Sequence, residues 1–321
     1  MARFLSEADI ASLVTIDDAI DAVTGVFSVS SGGAVINPPR QQIDIPAGYL
    51  RLTSAIVGPL NKIAVKVSSS MVFDSDSGRL LLLLDSRTGR ADALIEVFRL
   101  GQLRTAAASG VATRHLARSD ARSVGIFGAG RQAQTQLLAM VAVRPIEKVL
   151  VAGRDPQRLT AFCKEMQDMM GIPVRAVRSP EEVYACDILI AATTSKTPVI
   201  LGDHVRPGTH INAIGANRME RREVDDTLVG RCAIIAVDSK PQARKESAAL
   251  VEATASGLIS WDDVMELGDC VSKHHGAEPA SDAITLYNSH GIAMEDVALA
   301  TKAYELAVER GIGHDIPLTL P

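Results

Sequence analysis

Gly128, Ala129 and Gly130 stand between a short apolar run, Val124 to Phe127, and a helix-compatible stretch from Gln132 to Val143. A strand that breaks at glycines and passes into a helix gathers backbone N–H groups and a positive helix end at one point, where a pyrophosphate can sit. Gly128 permits the tight turn, Gly130 permits close approach of the phosphates, and Ala133 stands in for the third small residue at which helix packs on strand. Ala129, Arg131 and Gln132 complete the turn and the helix start as expected cofactor contacts, Gln132 to a phosphate or the ribose. Thr193 and Ser195 follow the fourth strand of the same region, at the carboxyl edge where open α/β sheets bind ligands. The end of the second strand indicates which dinucleotide is bound. A carboxylate about 20 residues after the glycines would hold the ribose 2′-OH of NAD. Here Lys148–Ala152 runs instead into Gly153-Arg154-Asp155. The planar fork of Arg154 suits a 2′-phosphate, so NADP(H) is expected as the preferred cofactor, with NAD(H) possible. The alternative is that Arg154 is a solvated turn residue and Asp155 a helix cap.

These residues need a framework. From Ala121 to about Asp238 the sequence alternates strands (Ser123–Phe127, Lys148–Ala152, Val174–Val177, Ile188–Ala192, His210–Ile214, Ala233–Val237) with helices (Arg131–Val143, Pro156–Met170, Pro180–Tyr184 and a short one near Glu223–Val229). Apolar strands in repeated βα units imply a parallel sheet covered on both faces. The expected fold class is therefore α/β, a Rossmann-type doubly wound sheet. Ahead of it, two amphipathic helices (Glu7–Leu13 and, after a Thr15 cap, Ile16–Phe27) lead into strands at Ile43–Ile45, Tyr49–Val57, Ile63–Ser68, Arg79–Leu84 and Ala91–Val97. Asp76-Ser77-Gly78 and Arg87-Thr88-Gly89 supply turns, and a small-residue helix is expected from Thr105 to about Ala117. A last amphipathic helix, Met294–Arg310, closes the sequence.

With 321 residues, two domains are expected. Hydrophobic residues make up 47% and aromatics 3%, so the cores must be aliphatic. A formal net charge of −5 with interspersed signs leaves no basic stripe for nucleic acid. No apolar stretch approaches the ~20 residues of a membrane span, and acidic residues arrive too early at the N-terminus for a signal peptide. Cys163, Cys186, Cys232 and Cys270 are widely spaced with no C-x-x-C pairing, which fits a reducing, cytoplasmic setting and no metal site.

Leu103-Arg104-Thr105-Ala106-Ala107-Ala108-Ser109, just ahead of the glycine turn, resembles a segment of the ornithine cyclodeaminase/μ-crystallin family. Matches follow at Asn37-Pro38-Pro39-Arg40, Ala64-Val65-Lys66-Val67-Ser68, Ala192-Thr193-Thr194-Ser195 with Pro198, Ile211-Asn212-Ala213-Ile214-Gly215-Ala216, and Ser289-His290-Gly291-Ile292-Ala293 with Asp296. The resemblance implies a homodimer and a discontinuous α+β substrate-binding and dimerisation domain, residues 1–117 plus 291–321, beside a dinucleotide-binding domain, residues 118–290. It also implies hydride transfer between nicotinamide and the Cα of a small imino or amino acid. Arg40 and Arg104 are the matching positions for fixing the carboxylate, which an arginine fork does through two charge-assisted hydrogen bonds. Lys66, with two arginines near and partial desolvation, would have a lowered pKa and could exchange a proton near neutrality. His290 falls where the family brings the chain past the nicotinamide, and is expected either to touch substrate or to be a buried structural histidine. Strand residues such as Tyr49 and Met71 are expected to shape the pocket.

The cyclodeaminases carry an aspartate after the segment matching Ile214-Gly215-Ala216, and this chain has Asn217. An amide cannot act as a general base, though it can still hydrogen-bond cofactor or substrate. Cyclodeamination needs repeated proton transfers, whereas reduction of a preformed imine needs one proton and one hydride. The expected activity is an NAD(P)H-dependent ketimine reductase, for example of Δ1-pyrroline-2-carboxylate to L-proline. Ornithine cyclodeaminase, an alanine-dehydrogenase-like reductive amination and a non-catalytic NADPH-linked binding protein are the alternatives.

Overall fold

The structure is a computed structural model that describes residues 1–46, 48–71, 79–273 and 279–317. It divides into two units, Met1–Arg104 with Gly291–Pro321, and Thr105–His290. The expected turn at Asp76-Ser77-Gly78 and the side chain of Met71 lie outside the described residues.

The first unit opens with β1 (Ala2–Leu5), α1 (Glu7–Leu13) and α2 (Ile16–Ser30), followed by β2 (Val35–Ile36), β3 (Gln41–Ile45), β4 (Gly48–Val57), β5 (Lys62–Met71), β6 (Arg79–Asp85) and β7 (Ala91–Glu96). Reciprocal capping boxes, Ser6 with Asp9 and Thr15 with Asp18, start the two helices. α3 (Phe98–Leu116) begins well before the expected Thr105. Its start carries no local cap signal. Instead the Glu7 carboxylate accepts the backbone N–H of Phe98 and, at 2.7 Å, that of Arg99. The boundary between units falls inside this helix, after Arg104 rather than after residue 117. Leu100 and Leu103, in the earlier part of α3, are fully buried apolar anchors for that first segment.

The second unit holds β8 (Ser123–Phe127), α4 (Arg131–Val143), β9 (Lys148–Ala152), α5 (Pro156–Met170), β10 (Val174–Ala176), β11 (Ile188–Ala191) and β12 (His210–Ala213). It continues through α6 (Asp226–Arg231), β13 (Ile234–Val237), α7 (Lys240–Glu246), α8 (Ala248–Ala255), β14 (Val264–Glu266), α9 (Leu267–Lys273) and β15 (Thr285–Asn288). Among the described residues these strands form one parallel sheet in the order β10-β9-β8-β11-β12-β15-β13-β14. The chain moves outward from β8 to β9 and β10, then returns to place β11 on β8's other side. This reversal opens a crevice at the carboxyl ends of β8 and β11. The expected helix near Glu223 starts only at Asp226, because the Asp225 side chain caps it by accepting the Leu228 N–H at 2.9 Å.

α10 (Ala293–Arg310) and β16 (His314–Ile316) return to the first unit. α10 packs on α2, β4 and β5, while β16 pairs antiparallel with β1, which itself pairs parallel with β7. The rest of this sheet is antiparallel, in the order β16-β1-β7-β6-β5-β4-β2 with β3 also on β4.

Candidate active site

In the second unit the glycine turn is shaped for close approach. Gly128 has φ 109°, and a Cβ there would sit 2.5 Å from the carbonyl oxygen of Ala192. Gly130 is the N-cap of α4 and supplies no side chain, so the first-turn amides face outward without a capping oxygen. Gly128, Ala129, Gly130, Arg154, Thr193 and Ser195 all line one cavity of about 770 Å³. Gln132 follows at the second helical position, and its buried Oε1 has no hydrogen-bond partner among the described residues. Turn and uncapped helix fit a dinucleotide phosphate, while the orphaned amide oxygen, an acceptor, fits a ribose hydroxyl. Gly128→Ala should weaken nicotinamide-cofactor binding by about tenfold or more, since strained backbone alone costs ~1–3 kcal/mol. Calorimetric titration with the reduced cofactor would measure this, and an unchanged Kd would remove the turn from the site.

Asp155 caps α5, accepting from Gln157 and Arg158 N–H groups at 3.0 and 3.1 Å. Arg158, not foreseen from sequence, also lines the cavity and donates from Nε to the Ala129 carbonyl at 3.1 Å. The Thr193 hydroxyl donates to Glu223 Oε1 at 2.7 Å and accepts the Ser195 N–H at 3.1 Å; the Ser195 hydroxyl donates to the Thr197 carbonyl at 2.7 Å. These two residues therefore contribute shape and backbone to the rim. Glu223, which the sequence places near a helix start, instead sits at this rim. Its buried carboxylate also accepts the N–H groups of Thr193, Gly215 and Ala216 at 2.7, 2.6 and 3.1 Å, tying together the loops after β11 and β12. Burial pushes its carboxyl up from the ordinary value, while these donors pull the other way.

Four of the residues expected in this unit lie outside the lining of the cavity, Gln132 among them. Arg131 is exposed at the start of α4, and Asn217 is half-buried just beyond Ala216. His290 is buried, with its backbone N–H held 2.5 Å from Asp238 Oδ2.

The first unit gathers the charged residues. Lys66 sits on β5 between Thr53 of β4 and Leu81 of β6. Its ammonium is bonded to Asp296 Oδ2, in the first turn of α10. The other oxygen of Asp296 lies 3.2 Å from Arg104 Nε, and Arg104 Nη1 donates to Glu295 Oε2 at 2.8 Å. Glu295 and Asp296 are buried. A side chain at Gly291, where φ is 71°, would run into the Arg104 guanidinium. Asn37 Oδ1 accepts the Met294 N–H at 2.8 Å, which fastens the Asn37-Pro38-Pro39-Arg40 segment to the same helix start. The half-buried Arg40 lies close enough for its charge to act on both Lys66 and Asp296.

Burial, then the Arg104 and Arg40 charges, lower the Lys66 pKa to about 8 against the opposing pull of Asp296. Burial alone would raise the Asp296 carboxyl; Lys66, Arg104 and Arg40 outweigh it and hold the pKa below the usual value. Lys66, Arg104 and Arg40 thus lie together with two carboxylates: Asp296, a matched position given no role from sequence, and Glu295, which sequence reading left out. Adjacent acids at the start of a helix resemble ordinary helix-dipole partners. Only their burial marks them as part of the cluster.

Comparison with known proteins identifies the family. The model of the ornithine cyclodeaminase/mu-crystallin family matches residues 2–311. The structure of Thermococcus litoralis Δ1-pyrroline-2-carboxylate reductase in complex with NADH and L-proline superposes with a TM-score of 0.92 at 35% identity, covering 98% of this chain and all of that one. An archaeal alanine dehydrogenase dimer with bound NAD gives a TM-score of 0.92 at 29% identity, with 99% of each chain covered. Iminosuccinate reductase of Paracoccus denitrificans is 30% identical over 335 residues, 98% of this chain and 99% of its own.

Proposed function

This chain belongs to the ornithine cyclodeaminase/mu-crystallin family, and we propose that it reduces small 2-imino acids, Δ1-pyrroline-2-carboxylate to L-proline among them. It is an NAD(P)-dependent oxidoreductase acting on C=N and CH–NH groups. One observation carries the substrate assignment. Arg40, Lys66 and Arg104 share one site with Glu295 and Asp296, so three cations face two carboxylates when Lys66 is protonated. The surplus positive charge suits one substrate carboxylate.

In this reading Arg40 and Arg104 orient that carboxylate, and Lys66 Nζ gives its proton to the imine nitrogen. Asp296 holds the ammonium in place, and Glu295 fixes the Arg104 fork. A bound reduced nicotinamide supplies the hydride that completes the amine at Cα. Arg154 and Arg158, both on the cavity that holds the glycine turn, would pair with a 2′-phosphate and favour NADPH. Asn217 in place of a carboxylate weighs against cyclodeamination. The dimeric archaeal relative supports a homodimer, and the free thiols Cys163, Cys186, Cys232 and Cys270 support a cytoplasmic setting.

Steady-state oxidation of NADPH and NADH with Δ1-pyrroline-2-carboxylate tests the proposal. Turnover is expected with both cofactors. Hydrogen bonds to a charged group contribute about 1.5–3 kcal/mol, so NADPH should bind ~10–100-fold more tightly. Ammonia release from L-ornithine without net cofactor turnover would replace this reading by the lyase, and equal affinity for the two cofactors would overturn the NADP preference.

A further inference from the structure

We infer that Glu223 is a positioning residue for the nicotinamide half of the cofactor, because it fixes the rim on which that half lies. The inference rests on the reading of the 770 Å³ cavity as the dinucleotide site. Glu223 itself stands behind the wall of that cavity and acts through the residues it holds.

Sheet order divides the cavity into two sides. β8, with the glycine turn at its end, lies between β9 and β11. Gly153, Arg154 and Arg158 line the β9 side, and Ala192, Thr193 and Val199 line the β11 side. A pyrophosphate on the turn therefore sends one nucleoside over each side. In doubly wound sheets the end of the second strand meets the adenosine ribose, which here is the β9 side. The nicotinamide and its ribose are left to the β11 side.

That side has little regular structure of its own. Neither helix nor strand is present at residues 192–199, after β11, or at residues 214–223, after β12. Glu223 joins the two stretches. Its Oε1 accepts both the N–H and the hydroxyl of Thr193, and its Oε2 accepts the N–H groups of Gly215 and Ala216. Its backbone carbonyl accepts the N–H groups of Val199 and Ile200 at 2.9 and 3.0 Å. Thr193 and Val199, two of the residues lining the β11 side, are thus held by one residue.

The fit around it is close. A Cβ on Gly215 would fall 2.6 Å from Glu223 Oε1, and one on Gly128 would fall 3.5 Å from Thr193 Cγ2. The stretch that Glu223 fixes therefore also backs the phosphate turn. Glu223 is only 2% exposed, and a carboxylate so far from water is tolerated because fixed donors surround it. Glutamine has the same shape but one acceptor oxygen. Whichever way its amide is turned, its N–H groups would point at two of these donors and release one of the two stretches.

The test compares, by calorimetry, NADPH with adenosine 2′,5′-bisphosphate, which carries the adenosine half alone. In Glu223→Gln the Kd for NADPH should rise ~10-fold or more, as for loss of a charge-assisted contact. The Kd for the fragment should stay at its wild-type value. A general loss of order would weaken both ligands alike, so their ratio isolates the nicotinamide half. Where NADH binds more tightly than NADPH, NADH and adenosine 5′-monophosphate form the pair. Equal weakening of both ligands, or of neither, overturns the proposal. If Glu223→Gln does not fold, Thr193→Val decides on the same ratio, since it deletes one donor to the carboxylate and keeps the shape. Wild-type protein that binds neither NADPH nor NADH would instead remove the dinucleotide assignment of the cavity, and this inference with it.

Discussion

Replacing Lys66 with methionine is expected to lower kcat for imine reduction by roughly 10²–10⁴-fold, the contribution of a positioned proton donor. Methionine keeps much of the volume on β5 and removes the ammonium, with its exchangeable proton and its pairing to Asp296. The wild-type enzyme should also carry the signature of a lysine whose pKa is about 8. Reduction needs the ammonium, so its rate should fall as pH rises through about 8. Oxidation of the amino acid needs the free amine, so its rate should rise through the same region. Lys66→Met should flatten both limbs in initial-rate profiles taken in the two directions. Unchanged turnover in the variant would leave Lys66 a structural residue and place the proton donor elsewhere. Stability follows the same group. The unfolded lysine titrates near 10.5 and the folded one near 8. Between these values the unfolded chain binds the proton that the folded chain has released, so this group adds stability as pH rises across that window. Below about 8 the full cost of the buried ammonium is present.

Asp296→Leu is expected to be the most damaging substitution to folding, at about 3–5 kcal/mol in denaturant unfolding, because it leaves buried cations without their partner. Asp296 holds Lys66 through one oxygen and faces Arg104 through the other, so both lose an anion together. Pairing the change with Lys66→Met should recover a large part of the loss, since replacing a whole buried ion pair by apolar groups is often near neutral. A single Asp296→Leu variant within about 1 kcal/mol of wild type would show that Glu295 alone balances the cluster. The carboxyl is held below its ordinary pKa, so its stabilisation is present above the unfolded value of 3.8 and lost as pH falls towards and through the folded one.

The first five strands of the second unit were readable to within a residue at each end, helped by the largely apolar runs of β8, β9 and β11. β15 was not. It inserts between β12 and β13 in the sheet, yet its sequence Thr285-Leu286-Tyr287-Asn288 is half polar. Those polar groups are satisfied by partners far away in sequence: Thr285 bonds to His210, Tyr287 to Asp238 and Asn288 to Ser247. The early start of α3 escaped for the same reason, since its cap comes from Glu7. Arg40, Lys66 and Arg104 could be named from motif and chemistry, and Asp296 as a matched position, but neither the role of Asp296 nor Glu295 as a partner. What placed Glu295 and Asp296 at the cluster is packing, which a helix-start pattern does not encode.

The return of α10 to the first unit has a consequence in time. The second unit is one continuous segment and has its whole sequence in hand once His290 has been made. Residues 1–104 contain Lys66 and Arg104 but neither of the acids that balance them, and β1 waits for β16. Until α10 is delivered these cations stay hydrated and the face of β4 and β5 that α10 covers lies bare. The charged cluster therefore cannot form until α10 has been made, and a chain stalled before residue 295 contains its lysine and arginines without the acids that balance them.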